Sequence, residues 1–163
     1  MRESTRRLTA ADAAATRAIG ARLAAALRAA DPAEPVLIGL SGELGAGKTT
    51  LVAGLLEALG HAGPVRSPTY ALIEPYRLAD RDVHHCDLYR LRDPEELEDL
   101  GLRDLFTARS VLLVEWPERA GDRLRPPDLS LRLDYSAAGR EVEVTASSVV
   151  GEAILARLGL EPA

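Results

Sequence analysis

Residues 36–51 read VLIGLSGELGAGKTTL and determine the fold class of the chain. The apolar run Val36 to Leu40 is typical of a strand buried on both faces of a parallel sheet. Gly42 to Thr49 matches the GxxxxGK[ST] pattern of a phosphate-binding loop, or P-loop. From Lys48 to Leu59, leucines share one face of a predicted helix that Gly60 ends. Strand, glycine loop and helix occur in the required order, so the sequence predicts an α/β fold.

The chemistry of this loop suits the phosphates of a nucleotide. Glycines at 42, 45 and 47 let backbone N–H groups face phosphate oxygens, and the helix N-terminus adds a partial positive charge. Lys48 is expected to reach the β- and γ-phosphates, and the Thr49 hydroxyl is expected to ligate Mg²⁺. Lys48 is also the only lysine in the chain, which indicates a need for a compact ammonium at this position. A glycine turn without a ligand would need neither side chain.

Hydrophobic periodicity divides the rest of the chain into further elements. Ala10 to Ala30 has apolar residues at helical spacing and arginines on the opposite side, and Asp31-Pro32 ends this helix. Strands and helices follow the P-loop in an order typical of α/β proteins. They are strands at Tyr70 to Tyr76, Val83 to Asp87 and Ser110 to Glu115, a helix from Asp93 toward Leu100, a hairpin of Leu129 to Tyr135 with Val142 to Val144 turning at Ser136 to Gly139, and a helix at Val149 to Leu158.

We therefore expect one domain, residues 1–163, with a three-layer fold of the P-loop NTPase type. Its central sheet is predicted to be mostly parallel, with an antiparallel hairpin near the C-terminus. The composition agrees with one domain, because 163 residues with 47% hydrophobic content suffice for a sizeable core.

Bulk properties exclude several classes of protein. The longest apolar stretches are far shorter than the roughly 20 residues of a membrane-spanning helix. The net charge of −5 argues against autonomous nucleic-acid binding, which needs an extended basic surface. Cys86 is the only cysteine, so no intrachain disulfide can form, and Asp12 and nearby arginines interrupt any export signal. A cytoplasmic location is expected.

Nucleotide hydrolysis needs a carboxylate to support the metal and a group to orient water. Two acids end predicted strands, Glu115 after Val111 to Val114 and Asp87 after Val83 to Cys86. Either acid could serve the metal or the attacking water, and either could instead cap the next turn.

Two neighbouring features have both a functional and a structural interpretation. Trp116, the only tryptophan, suits either the nucleotide site or the core. Ser67 to Tyr70 could be a switch-like loop whose hydroxyl senses the γ-phosphate, or a proline turn entering a strand. On the residues alone, the turn is slightly favoured.

A zinc site at His84, His85, Cys86 and Asp87 is not expected. Consecutive residues of a strand point to opposite faces and cannot surround one ion. His61 is the only other histidine.

Four motifs together resemble those of one protein family. They are GELGAGKTT at Gly42 to Thr50, SPTY at Ser67 to Tyr70, HCDLYR at His85 to Arg90 and EWPER at Glu115 to Arg119. In this order, and in a chain this short, they resemble the bacterial TsaE (YjeE) family. The resemblance runs from about the first helix to the last, and it is specific because most P-loop families share only the first motif.

The resemblance implies a P-loop ATPase that uses ATP and Mg²⁺. This family is needed to make N6-threonylcarbamoyladenosine at position 37 of tRNAs that read codons starting with A, and it works with TsaD and TsaB. Such a protein acts on the cycle of a partner enzyme, so the resemblance implies indirect contact with tRNA, in keeping with the acidic net charge.

The resemblance also assigns roles to residues at the metal end of the site. It implies that Thr49 and Glu115 hold Mg²⁺, that Asp87 is the base or water-orienting group, and that Trp116 belongs to the site. The residues that would cradle the phosphates are Gly45, Ala46, Gly47, Lys48, Thr49 and Thr50.

Three further segments acquire a role by the same resemblance. Ser67 to Tyr70 becomes the switch-like loop, with Thr69 as a catalytic residue, which reverses the preference for a turn. Gly139 and Arg140, at the hairpin turn, are expected near the nucleotide, as is the start of the first helix around Thr9 to Ala13.

Two other nucleotide-dependent functions are alternatives to the ATPase. A small-molecule kinase could use the same P-loop, but such kinases usually carry an arginine-rich lid, and this chain has no long insertion to form one. A GTP-driven switch would need an NKxD-type motif to recognise guanine. That motif cannot occur here, because the only lysine, Lys48, is in the P-loop.

Overall fold

The computed structural model describes residues 2–68 and 72–159. Strands and helices alternate through most of this range, as the sequence predicts. The strands are β1 (Ser4–Ala10), β2 (Val36–Ser41), β3 (Ile73–Arg77), β4 (Asp82–Asp87), β5 (Val111–Glu115), β6 (Leu129–Ser136) and β7 (Gly139–Ala146). The helices are α1 (Ala13–Ala30), α2 (Lys48–Ala58), α3 (Glu96–Asp99) and α4 (Val149–Ala156), with 3₁₀ helices at Leu102–Leu105 and Pro117–Arg123.

Within the described residues, seven strands form one sheet in the order β1-β7-β6-β2-β5-β4-β3. The four central strands β6, β2, β5 and β4 are parallel to one another. β1 pairs with β7, β7 with β6, and β3 with β4 in antiparallel register. The predicted parallel centre and the antiparallel hairpin are both confirmed, and β2 lies in the middle of the sheet.

Both faces of the sheet are covered, which gives the three predicted layers. Helices α1, α2 and α4 pack on one face, where Ile38 and Leu40 of β2 meet leucines of α1 and α2. The short helices pack on the other face, against Leu37 of β2 and Leu112 of β5. Because β2 supplies both cores, all its residues from Val36 to Leu40 are buried. This explains its uninterrupted apolar sequence.

Helices α1 and α2 approach each other through two glycines. A Cβ atom at Gly20 would lie 2.1 Å from the carbonyl oxygen of Leu51, and one at Gly54 would lie 2.1 Å from that of Arg17. Any side chain at either position would push the helices apart. Since α2 begins at Lys48, this contact also fixes the position of the P-loop.

The start of the chain differs from the prediction. The first helix begins at Ala13 rather than Ala10, and the Asp12 carboxylate caps it by accepting a hydrogen bond from the Ala15 N–H at 2.8 Å. The residues before it form β1, an edge strand that was not predicted. Its partner β7 is distant in sequence, and the short pattern STRRLTA has only Leu8 and Ala10 as apolar anchors, so local periodicity gave no signal.

Smaller differences concern the ends of other elements. The helix predicted from Asp93 toward Leu100 is a short segment, Glu96–Asp99. Asp93 is not its N-cap, because its carboxylate accepts from the Glu95 N–H in the turn that precedes the helix. The predicted strand Tyr70 to Tyr76 corresponds to β3, and Tyr70 itself lies outside the described residues. No helix in the described ranges is long and apolar enough to cross a membrane.

Candidate nucleotide and metal site

The loop between β2 and α2 has the backbone conformation of a phosphate cradle. Gly42, Gly45 and Gly47 have φ angles of +140°, +80° and +110°, a region that L side chains rarely adopt. A Cβ atom at Gly42 would also lie 2.4 Å from the carbonyl oxygen of Leu133 on β6. The glycines are therefore needed both for the turn and for its close approach to the sheet.

The side chain of Lys48 lies beneath this loop and is almost fully buried. Its ammonium donates to the carbonyl oxygens of Gly42 at 2.6 Å and Glu43 at 2.9 Å. Burial lowers the pKa of Lys48, while the negative charges of Glu115 and Asp87 oppose that shift. An ammonium has three N–H donors, so these two loop contacts leave a third donor for a phosphate oxygen.

The register of the sheet brings the two candidate acids together. Asp87 ends β4 and Glu115 ends β5, and they are direct partners in the parallel pairing of these strands. Glu115 is also the partner of Leu40 on β2, just before the P-loop. Parallel strands present their carboxyl ends at one edge, which is where α/β proteins bind ligands. Both acids therefore lie beside the loop.

A chain of hydrogen bonds joins these acids to the P-loop. The Thr49 hydroxyl donates to the Glu115 carboxylate, with oxygen separations of 3.2 and 3.3 Å, and lies 3.2 Å from the Ser67 hydroxyl. Ser67 donates to Oδ2 of Asp87 at 2.7 Å, and Oδ1 of Asp87 accepts from the Tyr89 N–H at 3.0 Å. One polar cluster thus combines side chains from helix α2, from the segment before residue 69 and from two strands.

Ser67 belongs to the motif that was predicted to act as a switch-like loop, but the hydroxyl singled out there was that of Thr69. Thr69 lies outside the described residues. Ser67 itself contacts both Thr49 and Asp87. The motif was recognised from the sequence, but the role of Ser67 as the residue that contacts Asp87 was not.

His85 is a site residue that sequence reasoning missed. The sequence places it at the start of the HCDLYR motif and excludes it as a zinc ligand, but assigns it no role of its own. Its ring is fully buried, and Nε2 lies 2.5 Å from Oε2 of Glu115. Alternation along β4 places His85 on the same face as Asp87. That periodicity was the signal that could have found it.

Aromatic rings lie beside the P-loop at Lys48. Trp116 follows β5 with a φ of +59°, and its ring lies 4.4 Å from the ammonium of Lys48. The centroid of the Tyr89 ring lies 5.2 Å from that of the Trp116 ring, and the Arg119 guanidinium lies against both rings. Trp116 also packs against the smaller hydrophobic core, so both interpretations of this residue describe part of its environment.

Two cavities open on either side of the P-loop. One, of about 200 Å³, is lined by hydroxyl, carboxylate and aromatic side chains, and we call it the metal-side cavity after the ligand expected there. The other, of about 250 Å³, we call the base-side cavity for the same reason; it is lined by Ala10 to Ala13, Thr16, the P-loop, Gly139 and Arg140. Gly45, Gly47 and Thr50 line both. Ala10 to Ala13 and the hairpin turn, two segments expected near the nucleotide, thus lie together beside the P-loop.

The β6–β7 hairpin holds the outer side of the P-loop. Arg140 donates from Nε to the carbonyl oxygen of Ala46 at 3.0 Å and from a terminal nitrogen to that of Gly45 at 3.4 Å. The Tyr135 hydroxyl donates to the carbonyl oxygen of Leu44 at 3.2 Å, and its ring lies 4.1 Å from the Arg140 guanidinium. Three consecutive carbonyl oxygens of the loop therefore accept hydrogen bonds from two side chains of the hairpin. We call this pair, Tyr135 and Arg140, the hairpin clamp.

The residues present fit a nucleotide with Mg²⁺. The positive-φ loop and the free donor of Lys48 suit phosphate oxygens, and the Thr49 hydroxyl with the Glu115 carboxylate supplies the oxygen ligands that Mg²⁺ prefers. In the described part of the chain, no three His, Cys, Asp or Glu side chains could hold a metal ion together. A metal here would therefore complete its coordination with phosphate and water.

Comparisons with known proteins show the family and the fold of this chain. The family model described as "Threonylcarbamoyl adenosine biosynthesis protein TsaE" matches residues 10–142. The crystal structure of Bacillus subtilis YdiB superimposes with a TM-score of 0.73 at 29% identity, covering 96% of this chain and 94% of that one.

Two relatives carry the name tRNA threonylcarbamoyladenosine biosynthesis protein TsaE. The protein of Haemophilus influenzae is 45% identical over 120 residues, which cover 74% of this chain and 76% of that protein. The protein of Streptomyces coelicolor is 43% identical over 138 residues, which cover 83% and 89%. The chain therefore belongs to the TsaE family of threonylcarbamoyl adenosine biosynthesis proteins.

Proposed function

We propose that this protein is a Mg²⁺-dependent ATPase that serves the biosynthesis of N6-threonylcarbamoyladenosine in tRNA. The observation that supports this most directly is the polar cluster beside the P-loop, in which Thr49 contacts Glu115 and Ser67 contacts Asp87. A nucleotide-binding protein without hydrolysis would need the loop but not two acids at its γ-phosphate end. The names of the relatives support the pathway.

The proposed roles divide the chemistry among the residues of the cluster. The P-loop from Gly45 to Thr50 cradles the phosphates through its N–H groups, and Lys48 donates to their oxygens. Thr49 and Glu115 would hold Mg²⁺, which when bound neutralises the charge of the β- and γ-phosphates. Asp87 orients the attacking water and accepts its proton, while the Tyr89 N–H holds the carboxylate in place.

Two other residues are proposed to complete the metal end of the site. Trp116 shields the Lys48 ammonium from solvent and covers the cavity, which strengthens the electrostatic contacts inside it. Thr69, two residues beyond Ser67, is proposed to act from the switch-like loop. At the other end, Gly139 and Arg140 border the cavity that would take the base.

The proposed partners are proteins of the TsaD and TsaB type. Three exposed apolar side chains border the site: Leu44, Tyr89 and Tyr135 are 69%, 41% and 51% exposed. Exposed aromatic side chains are common anchors at protein interfaces. A partner bound to these side chains would lie next to the nucleotide and could respond directly to its binding or hydrolysis. Hydrolysis is then expected to be slow in the isolated protein and faster in the complex.

The test is hydrolysis and pull-down with purified components. ATP hydrolysis and retention on immobilised TsaD–TsaB would be measured for the unmodified protein and Lys48→Ala, with Mg·ATP or with EDTA. We expect partner retention that depends on Mg·ATP and is lost in Lys48→Ala. Phosphoryl transfer to a small metabolite, at a rate that does not depend on the partners, would instead establish the kinase alternative.

A further inference from the structure

The contact between His85 and Glu115 carries an inference beyond the ATPase assignment. Of the contacts that Glu115 makes in the described structure, the 2.5 Å separation from Nε2 of His85 is the shortest, against 3.2 and 3.3 Å from Thr49. A metal ligand is an ionised carboxylate, which can only accept hydrogen bonds, so in that form of Glu115 the donor is the Nε2–H of His85. Such charge-assisted hydrogen bonds are about twice as strong as neutral ones.

We propose that His85 is a positioning residue, whose Nε2–H fixes the Glu115 carboxylate so that its remaining acceptor sites face Thr49 and the metal. This inference rests on the proposed function, because it assigns Glu115 to Mg²⁺. The carboxylate is held from the interior by His85 and from the P-loop side by Thr49. Without the imidazole, the terminal torsion of Glu115 has broad freedom, since sp³–sp² torsions have no sharp minima.

The environment of the ring argues against a purely structural role. His85 has no exposed surface, and in the described part of the chain its Nδ1 has no hydrogen-bond partner. Burial of a polar nitrogen without a partner costs free energy, and an apolar side chain of similar size would avoid that cost. The contact with Glu115 is the feature of this position that an apolar residue could not reproduce.

The expected consequence is a selective loss of metal affinity. Partners that orient metal-ligating side chains typically contribute about 10- to 100-fold to metal affinity. His85 lines neither of the two cavities, so it has no direct contact through which to change nucleotide affinity. Loss of the donor should therefore weaken the metal without weakening metal-free nucleotide binding.

The experiment uses Mn²⁺ as a spectroscopic probe in place of Mg²⁺. Mn²⁺ binding in the presence of ADP would be followed by electron paramagnetic resonance, and ADP binding in EDTA by calorimetry. His85→Leu removes the donor, while His85→Gln keeps an amide N–H at a position similar to Nε2. His84→Leu is the matched control, because His84 is the neighbouring residue on β4 and faces the other side of the sheet.

We expect Mn²⁺ affinity to fall by about 10- to 100-fold in His85→Leu, to recover largely in His85→Gln and to be unchanged in His84→Leu. Equal Mn²⁺ affinity in His85→Leu and the unmodified protein would overturn the inference, as would parallel losses of Mn²⁺ and metal-free ADP binding. If the unmodified protein itself does not bind Mn²⁺ with ADP, the proposed function fails instead.

A measurement on the unmodified protein covers the case in which His85→Leu does not fold. In the ¹⁵N spectrum of histidine-labelled protein, His85 should carry its hydrogen on Nε2, and this resonance should shift when Mg²⁺ is added to the ADP-bound protein. His85→Gln assigns the resonance by its disappearance. A hydrogen on Nδ1 alone, or a resonance that does not respond to Mg²⁺, would overturn the inference.

Discussion

The two cavities beside the P-loop are built from different groups. The metal-side cavity is lined by reactive side chains, among them Lys48, Thr49, Asp87 and Glu115. The base-side cavity is lined mainly by alanine, glycine and the backbone of the loop. Under the proposed function, one side would therefore act by the chemistry of its side chains, and the other by its shape. We expect substitutions on the metal side to affect turnover and those on the base side to affect nucleotide affinity.

Asp87→Asn should give the largest effect and separates turnover from binding. We expect hydrolysis to fall on the order of 10²- to 10⁴-fold, because the amide cannot accept the proton of water. ATP affinity should stay within about twofold, since in the described structure the Asp87 carboxylate bonds Ser67 and the Tyr89 N–H rather than the P-loop. Steady-state hydrolysis and the binding of a fluorescent ATP analogue measure the two quantities.

Asp82→Asn is the control for this variant, because Asp82 is the exposed residue at the opposite end of the same strand. If Asp87→Asn retains turnover, Asp87 is only a cap for the Tyr89 N–H, and the metal side does not act through this acid.

Ala13→Phe tests whether the base-side cavity recognises by shape. A phenylalanine would occupy part of the roughly 250 Å³ cavity that Ala13 lines and would compete with the base for that space. ATP affinity should fall about tenfold, which corresponds to a loss of about 1.4 kcal/mol of binding free energy. Competition by inorganic tripolyphosphate, which has no base, should be unaffected.

The control is Ala14→Phe, since Ala14 is the next residue of α1 but lines the groove against α2 instead. An equal loss of tripolyphosphate and ATP binding in Ala13→Phe would mean that the substitution distorts the P-loop itself.

Tyr135→Phe should have the smallest effect. The substitution removes the hydrogen bond to Leu44 and keeps the ring that contacts Arg140, so one part of the hairpin clamp is lost. Because a single exposed hydrogen bond contributes about 0.5–1 kcal/mol, nucleotide dissociation should accelerate roughly two- to fivefold. Stopped-flow displacement of a fluorescent ATP analogue gives this rate.

Tyr89→Phe makes the same change on the metal side, where the ring contacts Trp116. It should leave the dissociation rate unchanged. If both variants accelerate dissociation equally, the clamp has no particular role in holding the loop.

The same contrast explains how much of the site could be predicted from the sequence. Lys48, Thr49, Asp87 and Glu115 stand out because their side-chain types and their positions after strands have a chemical meaning. They lie together in the structure. The base-side cavity offers no such signal, because alanines and backbone groups acquire a role only through the pairing of β1 with β7. In the sequence, these alanines belong only to an apolar helix pattern.

The same distinction applies to the fold, where elements with a local sequence pattern were predicted and those without one were not. β2, β5 and the hairpin were predicted because burial on both faces, or strict alternation, leaves a local pattern. β1 leaves none, since its place at the edge depends on a partner that is distant in sequence. His85 is an intermediate case. The periodicity of β4 places it beside Asp87, but only the register with β5 shows that it reaches Glu115.

The pairing of β1 with β7 has a consequence for the protein during its synthesis. Gly139 is enclosed by this pairing so closely that an added Cβ atom would lie 2.3 Å from the carbonyl oxygen of Ala10. A nascent chain leaving the ribosome has its P-loop long before it has Gly139, Arg140 or the rest of β7. Since domains are synthesised from the N-terminus, the wall of the base-side cavity is completed late. Tight ATP binding, and the stability it adds, would thus distinguish a finished chain from a truncated one.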